Sequence, residues 1–288
     1  MTSQLKTILL LGILSCIIIM LGGLLGGRGG LVFAVGFALL MNLGSYWYSD
    51  KIVLSMYRAR EVAYEDAPFL HQIVGELANR ANLPMPRVYI VPEEAPNAFA
   101  TGRDPEHAAV AVTEGILHIL SPEQLRGVLA HEMGHIKNRD ILVQTIAGVM
   151  GSAIVTLANI FQFTAIFGGN REEGGSNPVA ALLMALLAPL AASLIQMAMS
   201  RSREYLADDT GAALCRDPLA LAGALEELGR MSGQLPLDRG NPSTAQMFIV
   251  EPAFAMGSAN VSRLFSTHPP LEERIGRLRA MAAQMGRM

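Results

Sequence analysis

The sequence contains little charge and little cysteine. Of its 288 residues, 16% are charged, whereas soluble domains average about 25%. Cys16 falls inside an apolar run and Cys215 in a more polar part of the chain, so the pair supports neither a disulfide framework nor a cysteine metal site. A net charge of −3 and a pI near 6.1 give no reason to expect nucleic-acid binding. These absences disfavour a disulfide-stapled domain and a nucleic-acid-binding protein.

Charge is missing mainly from four stretches, each about as long as the ~20 residues that cross a bilayer. They are Thr7 to Leu25, Leu31 to Ser49, Ile141 to Phe167, and Pro178 to Ser200. We interpret the first pair as a transmembrane hairpin within residues 1–50. A cleaved signal peptide is the alternative for the first stretch, but no Ala-x-Ala-like site follows it. The second pair, within residues 141–200, contains three glutamines and predicts either a spanning hairpin or helices that are buried in protein and only membrane-associated.

The flanking residues predict how the chain is oriented. Basic side chains cluster on one side of the four stretches, at Lys51, Arg58, Arg60, Lys137, Arg139, Arg201 and Arg203. The two opposite turns carry only Arg28 and Arg171. By the positive-inside rule, both termini and both polar regions face the cytoplasm. Trp47 stands between two tyrosines at the end of the second stretch, where a membrane interface would place it.

The segment from His131 to His135 has the sequence His-Glu-Met-Gly-His. Ser121 as N-cap, with Gln124 three residues later, predicts a helix that begins just before this motif. On a helix the two imidazoles lie one turn apart on the same face. Glu132 is rotated about 100° from His131, so it can reach a water near a bound ion more readily than it can chelate that ion. The spacing is typical of the metal-binding and base-bearing part of a zinc peptidase.

A catalytic zinc ion generally has three protein ligands and an open position. Glu204 is the best candidate for the third ligand, because it lies in a segment compatible with a helix, with Asp208 one turn beyond it. The Asp208 carboxylate can accept the free ring N–H of a ligating histidine and fix its orientation. The ligand set predicted from these motifs is therefore His131, His135 and Glu204.

A histidine helix paired with a Glu-x-x-x-Asp helix resembles the thermolysin-like zinc peptidases. Three further motifs, in this order, are similar to those of the HtpX family of bacterial membrane-bound heat-shock zinc metalloproteases. They are Asn97 to Gly102, Ser200 to Glu204, and Thr267 to Glu272. The resemblance covers nearly the whole chain. It implies an α+β zincin-like metallopeptidase domain combined with transmembrane α-helices, mainly helical with a small sheet, in a multi-pass protein of the bacterial inner membrane.

The resemblance also implies an activity and a cofactor. One Zn²⁺ per chain would lower the pKa of a bound water toward ~7, and Glu132 would take a proton from that water as it attacks a peptide carbonyl. The substrates would be misfolded or damaged membrane proteins, in quality control under stress. Asn97, Ala98 and Phe99 resemble the strand that lines the substrate. His268 either stabilises the transition state or forms a turn and cap, and Asp140 either supports the site or marks the membrane boundary.

The protease domain is expected in two parts. Residues 51–140 predict an amphipathic helix from Phe69 to Leu77, strands over Arg87 to Val91 and Ala108 to Thr113, and an edge strand over Asn97 to Thr101. Residues 201–288 predict helices over Leu219 to Met231 and Leu271 to Met281. Between these two helices, Ser232 to Ser266 is either a mobile cover over the cleft or a plain connector.

Two other functions compete with this interpretation. A prenyl-protein endopeptidase of the CAAX type shares the metal motifs, but the chain is short for the larger helical chamber of those enzymes. A zinc-stabilised membrane scaffold without turnover is disfavoured, because a structural zinc site is normally closed by a fourth protein ligand. A scaffold would also leave Glu132 without a task.

Overall fold

The computed structural model describes residues 3–151, 200–232, 249 and 269–286. Its first helix, α1, runs from Ser3 to Met56 and is broken at Gly27, where φ is 55° and ψ is −140°. A residue without a Cβ adopts that backbone conformation at little steric cost. Beyond the break the chain turns back, and the Asn42 side-chain amide donates a 2.8 Å hydrogen bond to the Ser15 hydroxyl. The two arms of α1 therefore lie side by side.

The second arm of α1, Gly27–Met56, is long and apolar enough to cross a membrane, and only 17% of its most apolar part is buried. Shorter apolar helical stretches are found at Thr7–Met20 and Ile141–Gly151. Most of the predicted third and fourth stretches, residues 152–199, lies outside the described residues. The division of the chain into two membrane hairpins and a two-part protease domain stays a prediction.

A four-stranded sheet follows α1, in the order β1-β2-β4-β3. The strands are β1 (Arg60–Glu61), β2 (Arg87–Val91), β3 (Ala98–Thr101) and β4 (Ala109–Thr113). β2 and β4 are parallel, whereas β3 pairs antiparallel with β4. The predicted edge position of β3 is confirmed, and β1 is a short strand that the sequence did not predict.

Six further described helices surround this sheet. They are α2 (Pro68–Ala81), α3 (Glu114–Ile119), α4 (Pro122–Lys137), α5 (Arg201–Cys215), α6 (Pro218–Ser232) and α7 (Leu271–Gln284). The predicted capping box is present at the start of α4, because the Ser121 hydroxyl accepts from the Gln124 amide and the Gln124 side chain accepts from the Ser121 amide. The helices predicted from apolar periodicity correspond to α2, α6 and α7. The mainly helical α+β class is confirmed.

The motif-bearing helix α4 lies at the centre of the packing. It contacts α2, α5, α6 and β3, and every residue from Gly127 to Ile136 is buried. The core around it is formed by apolar side chains from all these elements, including Leu77, Val110, Leu129, Met133, Ala212, Leu225 and Leu278. A helix that is covered on all sides holds polar motif residues in a water-poor environment, where unpaired charge is costly.

Two glycines allow α4 and α5 to touch through their backbones. A Cβ on Gly211 would lie 2.7 Å from the backbone nitrogen of His131, and one on Gly134 would lie 2.9 Å from the carbonyl oxygen of Ala207. Both distances are shorter than a side-chain carbon tolerates against backbone atoms. The close approach therefore requires glycine, and it sets the distance between the two motif helices.

Gly211→Ala should push α5 away from α4. Overpacking against backbone typically costs about 1–3 kcal/mol of folding free energy, and the displacement should also weaken metal binding. The matched control is Gly276→Ala, because a Cβ there meets nothing within 4 Å. That change should leave stability unchanged or raise it by up to about 1 kcal/mol. Thermal unfolding of the two detergent-purified variants measures the change in stability that each substitution causes. Equal melting temperatures for Gly211→Ala and Gly276→Ala would show that the contact between α4 and α5 does not require glycine.

Candidate metal centre

The structure brings the three predicted ligands together. His131 and His135 lie on α4, and Glu204 lies in the first turn of α5. One donor atom from each residue lies within 4.8 Å of the other two, and all three residues are buried. The His131 Nε2 to His135 Nε2 distance is 3.1 Å. The Glu204 carboxylate lies 3.4 Å from His135 Nε2 and 3.9 Å from His131 Nε2.

These separations fit a small tetrahedral cation. Bonds of about 2.0–2.1 Å at tetrahedral angles place neighbouring donor atoms about 3.3 Å apart, close to the two shorter distances, 3.1 and 3.4 Å, whereas the other carboxylate oxygen lies farther away, at 3.9 Å from His131. The ring nitrogens support the same conclusion, because both Nδ1 atoms face carboxylates, so that the two Nε2 lone pairs face each other. Two lone pairs at 3.1 Å repel unless a cation or proton lies between them. The residues present therefore fit a metal ion.

His131 is oriented by the ion pair of Asp208 and Arg274, of which the sequence predicted only Asp208. Its Nδ1 lies 2.8 Å from the Asp208 carboxylate, as proposed from the spacing. Asp208 in turn accepts two hydrogen bonds from Arg274, at 2.7 and 2.9 Å. Burial favours a higher pKa for Asp208, but Arg274 and His131 outweigh it and lower the pKa to about 2. Burial lowers the pKa of His131 to about 4 despite Asp208, so its ring is neutral at pH 7 and can act as a ligand.

His135 has a corresponding arrangement on its other side. Its Nδ1 lies 3.5 Å from the carboxylate of fully buried Asp140, and Asp140 forms an ion pair with Arg203. The side-chain amide of Gln144 is 3.4 Å from the same ring nitrogen. Of the two interpretations left open for Asp140, this placement favours support of the site, because a boundary residue would face the solvent.

Glu132 lies beside the three ligands and is 5% exposed. Its Oε2 accepts a 2.8 Å hydrogen bond from the backbone N–H of Ala100 in β3. Burial raises the pKa of Glu132 to about 7, and the neighbouring carboxylate of Glu204 acts in the same direction, while His135 opposes it. A bound cation would lower that value. A carboxyl that holds or releases a proton near neutral pH is suited to general acid–base work.

The edge of β3 that faces away from β4 runs past Glu132, and all four residues of the strand are buried. Asn97 O accepts from Thr113 N at 2.9 Å, so in an antiparallel pair the odd-numbered residues of β3 bond to β4 and the even-numbered ones face away. The backbone groups of Ala98 and Ala100 are therefore directed away from β4, toward the side on which the Ala100 N–H meets Glu132. The predicted substrate residues have other side-chain contacts, since the Asn97 side chain accepts from Ile249 N and Phe99 packs on Tyr57. Any substrate contact at Asn97, Ala98 or Phe99 thus rests on the main chain of β3 rather than on the Phe99 ring.

Arg274 is the functional residue that sequence reasoning missed. It is 1% exposed, and its Nη1 also donates to the carbonyl oxygen of Ile249. A signal was present in the sequence, because Arg274, Leu278 and Ala282 are the buried residues of α7 and recur every four positions. An arginine in the apolar register of a helix indicates a buried ionic partner. His268, the predicted transition-state residue, lies outside the described residues, and its role stays a prediction.

A His-Glu-x-x-His helix and a glutamate from a second helix, gathered around one metal position, define a metal-dependent peptidase. The family model described as Peptidase family M48 matches residues 65–282. The chain belongs to this peptidase family. The prediction of a metallopeptidase with the HtpX pattern is confirmed.

The relatives agree with this assignment. The chain is 54% identical over 285 residues to a protease HtpX homolog of Syntrophobacter fumaroxidans, with 98% of this chain and 100% of the relative covered. It is 54% identical over 282 residues to a protease HtpX homolog of Pyrococcus furiosus, with 98% and 96% covered. Among solved structures, the crystal structure of S. mikatae Ste24p aligns with a TM-score of 0.49 and 17% identity, over 93% of this chain and 62% of that chain. The protein is a membrane metalloprotease that acts on polypeptides.

Arg274→Gln should leave Asp208 buried without its ionic partner. Breaking a buried pair in this way typically costs about 3–5 kcal/mol of stability, and loss of the support for His131 should weaken metal binding about 10–100-fold. Arg277→Gln is the matched control on the same helix, because Arg277 pairs with Asp209 at the exposed surface. The melting temperature and the metal affinity of both variants are measured in detergent. Equal metal affinity in the two variants would show that Arg274 does not support metal binding.

Proposed function

We propose that this chain is a zinc-dependent endopeptidase of the bacterial cytoplasmic membrane that hydrolyses misfolded or damaged membrane proteins. The observation that carries the proposal is the buried cluster of His131, His135 and Glu204, with the Glu132 carboxylate beside it and the outer edge of β3 alongside. A structural metal site needs neither a neighbouring carboxyl that can act as a base nor a strand edge for a substrate, and the position of Glu132 and β3 supports both roles.

Zinc is the metal that we propose for the cluster. Two histidines and a glutamate with a fourth position left for water are a frequent catalytic zinc set. His131 and His135 would bind through Nε2, since their Nδ1 atoms face Asp208 and Asp140. When bound, zinc supplies Lewis acidity, which makes water more acidic and polarises the scissile carbonyl.

Glu132 is proposed to move the proton. Its carboxylate would accept a proton from the attacking water and then deliver it to the nitrogen of the leaving amine. The Ala100 N–H bonds to Oε2, so one oxygen is held and the carboxylate plane is restrained. The same amide belongs to the outer edge of β3, so this hydrogen bond joins the proposed base to the strand where substrate would bind.

The outer edge of β3 is proposed to bind the substrate as an added strand. A polypeptide in extended conformation can hydrogen-bond to the outward backbone groups of Ala98 and to the carbonyl oxygen of Ala100, while the Ala100 N–H stays bonded to Glu132. Backbone hydrogen bonds of this kind depend little on the side chains of the substrate. It therefore suits a peptidase that acts on many unfolded chains rather than on one defined site.

Membrane-protein substrates are proposed because the site lies close in sequence to apolar segments. The apolar helical stretch Ile141–Gly151 begins six residues after His135. The helix Gly27–Met56 ends just before the sheet. With the cytoplasmic orientation that the basic flanks predict, the site would lie near the inner surface of the bilayer and meet polypeptides exposed there.

Glu132→Gln should bind zinc with unchanged stoichiometry and cleave unfolded protein about 10²–10⁴-fold more slowly, because the amide cannot carry the proton. Glu123→Gln is the matched control, since Glu123 lies on the same helix and is exposed. The measurement combines metal analysis with proteolysis of an unfolded substrate after zinc loading. Cleavage by Glu132→Gln at the wild-type rate would refute the assigned role.

The membrane part of the proposal has its own test. In proteoliposomes, an unfolded polypeptide tethered by a transmembrane anchor should be cleaved about tenfold faster, or more, than the same polypeptide in solution, because the tether raises its effective concentration. A folded domain on the same anchor is the control for unfolding. Equal rates for tethered and soluble substrate would contradict a preference for membrane proteins while leaving the peptidase assignment in place.

A further inference from the structure

We propose that a pocket beside the cytoplasmic end of α1 binds the headgroup of an anionic phospholipid. The pocket has a volume of about 450 Å³ and lies between α1, the start of β2 and the loop that precedes β4. Trp47 and Lys51 line it from α1, Arg87 from β2, and Arg103 from the loop. Its size falls in the range of about 300–1,000 Å³ that small-molecule sites occupy. It is separate from the metal centre, whose residues do not line it.

The pocket lies where a lipid headgroup would be. Trp47 is half exposed near the end of the helix Gly27–Met56, the described segment that is long and apolar enough to span a bilayer. Tryptophan at such a position marks the interface between acyl chains and water. The Arg103 guanidinium lies 4.7 Å from the centre of the Trp47 ring. This contact holds a cation at the depth where lipid phosphates lie.

The lining contains cations whose donors are not all taken by carboxylates. Three basic side chains and two carboxylates line the pocket, and Arg87 and Asp50 pair with each other at 2.7 Å. Lys51 and Arg103 remain against Glu106 in the lining and against Asp104, which Arg103 approaches at 3.5 Å. These charges balance, so the case for an anion rests on the available donors of Lys51 and Arg103 rather than on a net positive charge.

The remaining cations have donors available for a phosphate. Within the described part of the chain, the Lys51 ammonium contacts the Tyr48 ring, 5.4 Å from its centre, and forms no ion pair. Arg103 approaches Asp104 through Nε, at 3.5 Å, and its terminal nitrogens form no hydrogen bond among the described residues. A guanidinium that is fixed by an aromatic ring and has free terminal donors is preorganised for phosphate. Glu106 can accept hydrogen bonds from the hydroxyls of a glycerol headgroup.

The protein contains its own reporter for this site, because Trp47 is its only tryptophan. The full-length protein is reconstituted in phosphatidylcholine with increasing fractions of phosphatidylglycerol, and either lipid carries bromine on its acyl chains as a quencher. We expect brominated phosphatidylglycerol to quench Trp47 more than brominated phosphatidylcholine does at the same mole fraction. A basic residue near a membrane contributes about 1 kcal/mol toward anionic lipid, which corresponds to about fivefold in relative binding constant for each of Lys51 and Arg103.

Lys51→Gln with Arg103→Gln should remove the preference for phosphatidylglycerol and leave zinc content and proteolysis unchanged, which shows that the variant is folded. Arg28→Gln is the matched control, since Arg28 is exposed next to the break in α1, at the other end of the spanning arm. That variant should keep the preference. Relative quenching is compared within each variant, so a change in the intrinsic fluorescence of Trp47 does not affect the result.

Several outcomes would overturn the proposal. Equal quenching by the two lipids in the wild type excludes a selective site, and a preference that survives in the double variant assigns it to general surface attraction. Stronger quenching by brominated phosphatidylethanolamine contradicts the anionic headgroup. Loss of the preference on adding inorganic phosphate identifies a soluble phosphate ligand instead. If neither lipid quenches Trp47, the side chain does not lie at the membrane and the lipid site is wrong. That result would not affect the peptidase proposal.

Discussion

The buried ion pair between Asp208 and Arg274 is the interaction on which the metal centre depends most. It joins α5 to α7, it orients His131, and through Arg274 it also reaches the backbone of Ile249. A buried ion pair adds little net stability, because desolvation offsets much of the attraction. The pair instead orients His131, because the Asp208 carboxylate can stay ionised in the core only with a fixed cation such as Arg274 beside it. The ionised carboxylate in turn leaves the Nε2 lone pair of His131 for a metal ion.

A second pair repeats this arrangement on the other histidine. Asp140 lies three residues after the end of α4 and Arg203 lies in the first turn of α5, so their ion pair joins the two sides of the long segment that separates the motifs in sequence. This pair and the contact of His131 with Asp208 both connect the α4 side of the site to α5. The backbone contacts at Gly134 and Gly211 fix the distance between the same helices. Orientation and spacing of the ligands are therefore set by different interactions.

The edge strand β3 combines protection with a functional position. Its four residues are all buried, so its outer edge is shielded from the edge-to-edge pairing that leads to aggregation. The same edge runs beside Glu132, where a substrate strand would be needed. Its Phe99 side chain is anchored against Tyr57, so the strand beside the metal site is braced by the segment that follows the long apolar arm of α1.

The sequence by itself determined most of the elements, though not β1 or α3, and the identity of the clustered residues. Helix α4 could be predicted because its cap and periodicity are interactions between residues at most four positions apart, and the edge strand because short β-rich runs bounded by turn residues are local signals. The grouping of His131, His135 and Glu204 followed from motif chemistry. The spacing also predicted Asp208 beside a ligating histidine, but only the tertiary structure decided which cations hold the supporting carboxylates, because Asp208 meets Arg274 across 66 positions and Asp140 meets Arg203 across 63. Contacts of that range depend on how helices pack, and no local pattern encodes packing; the charged residue in the apolar register of α7 was the one trace of it in the sequence.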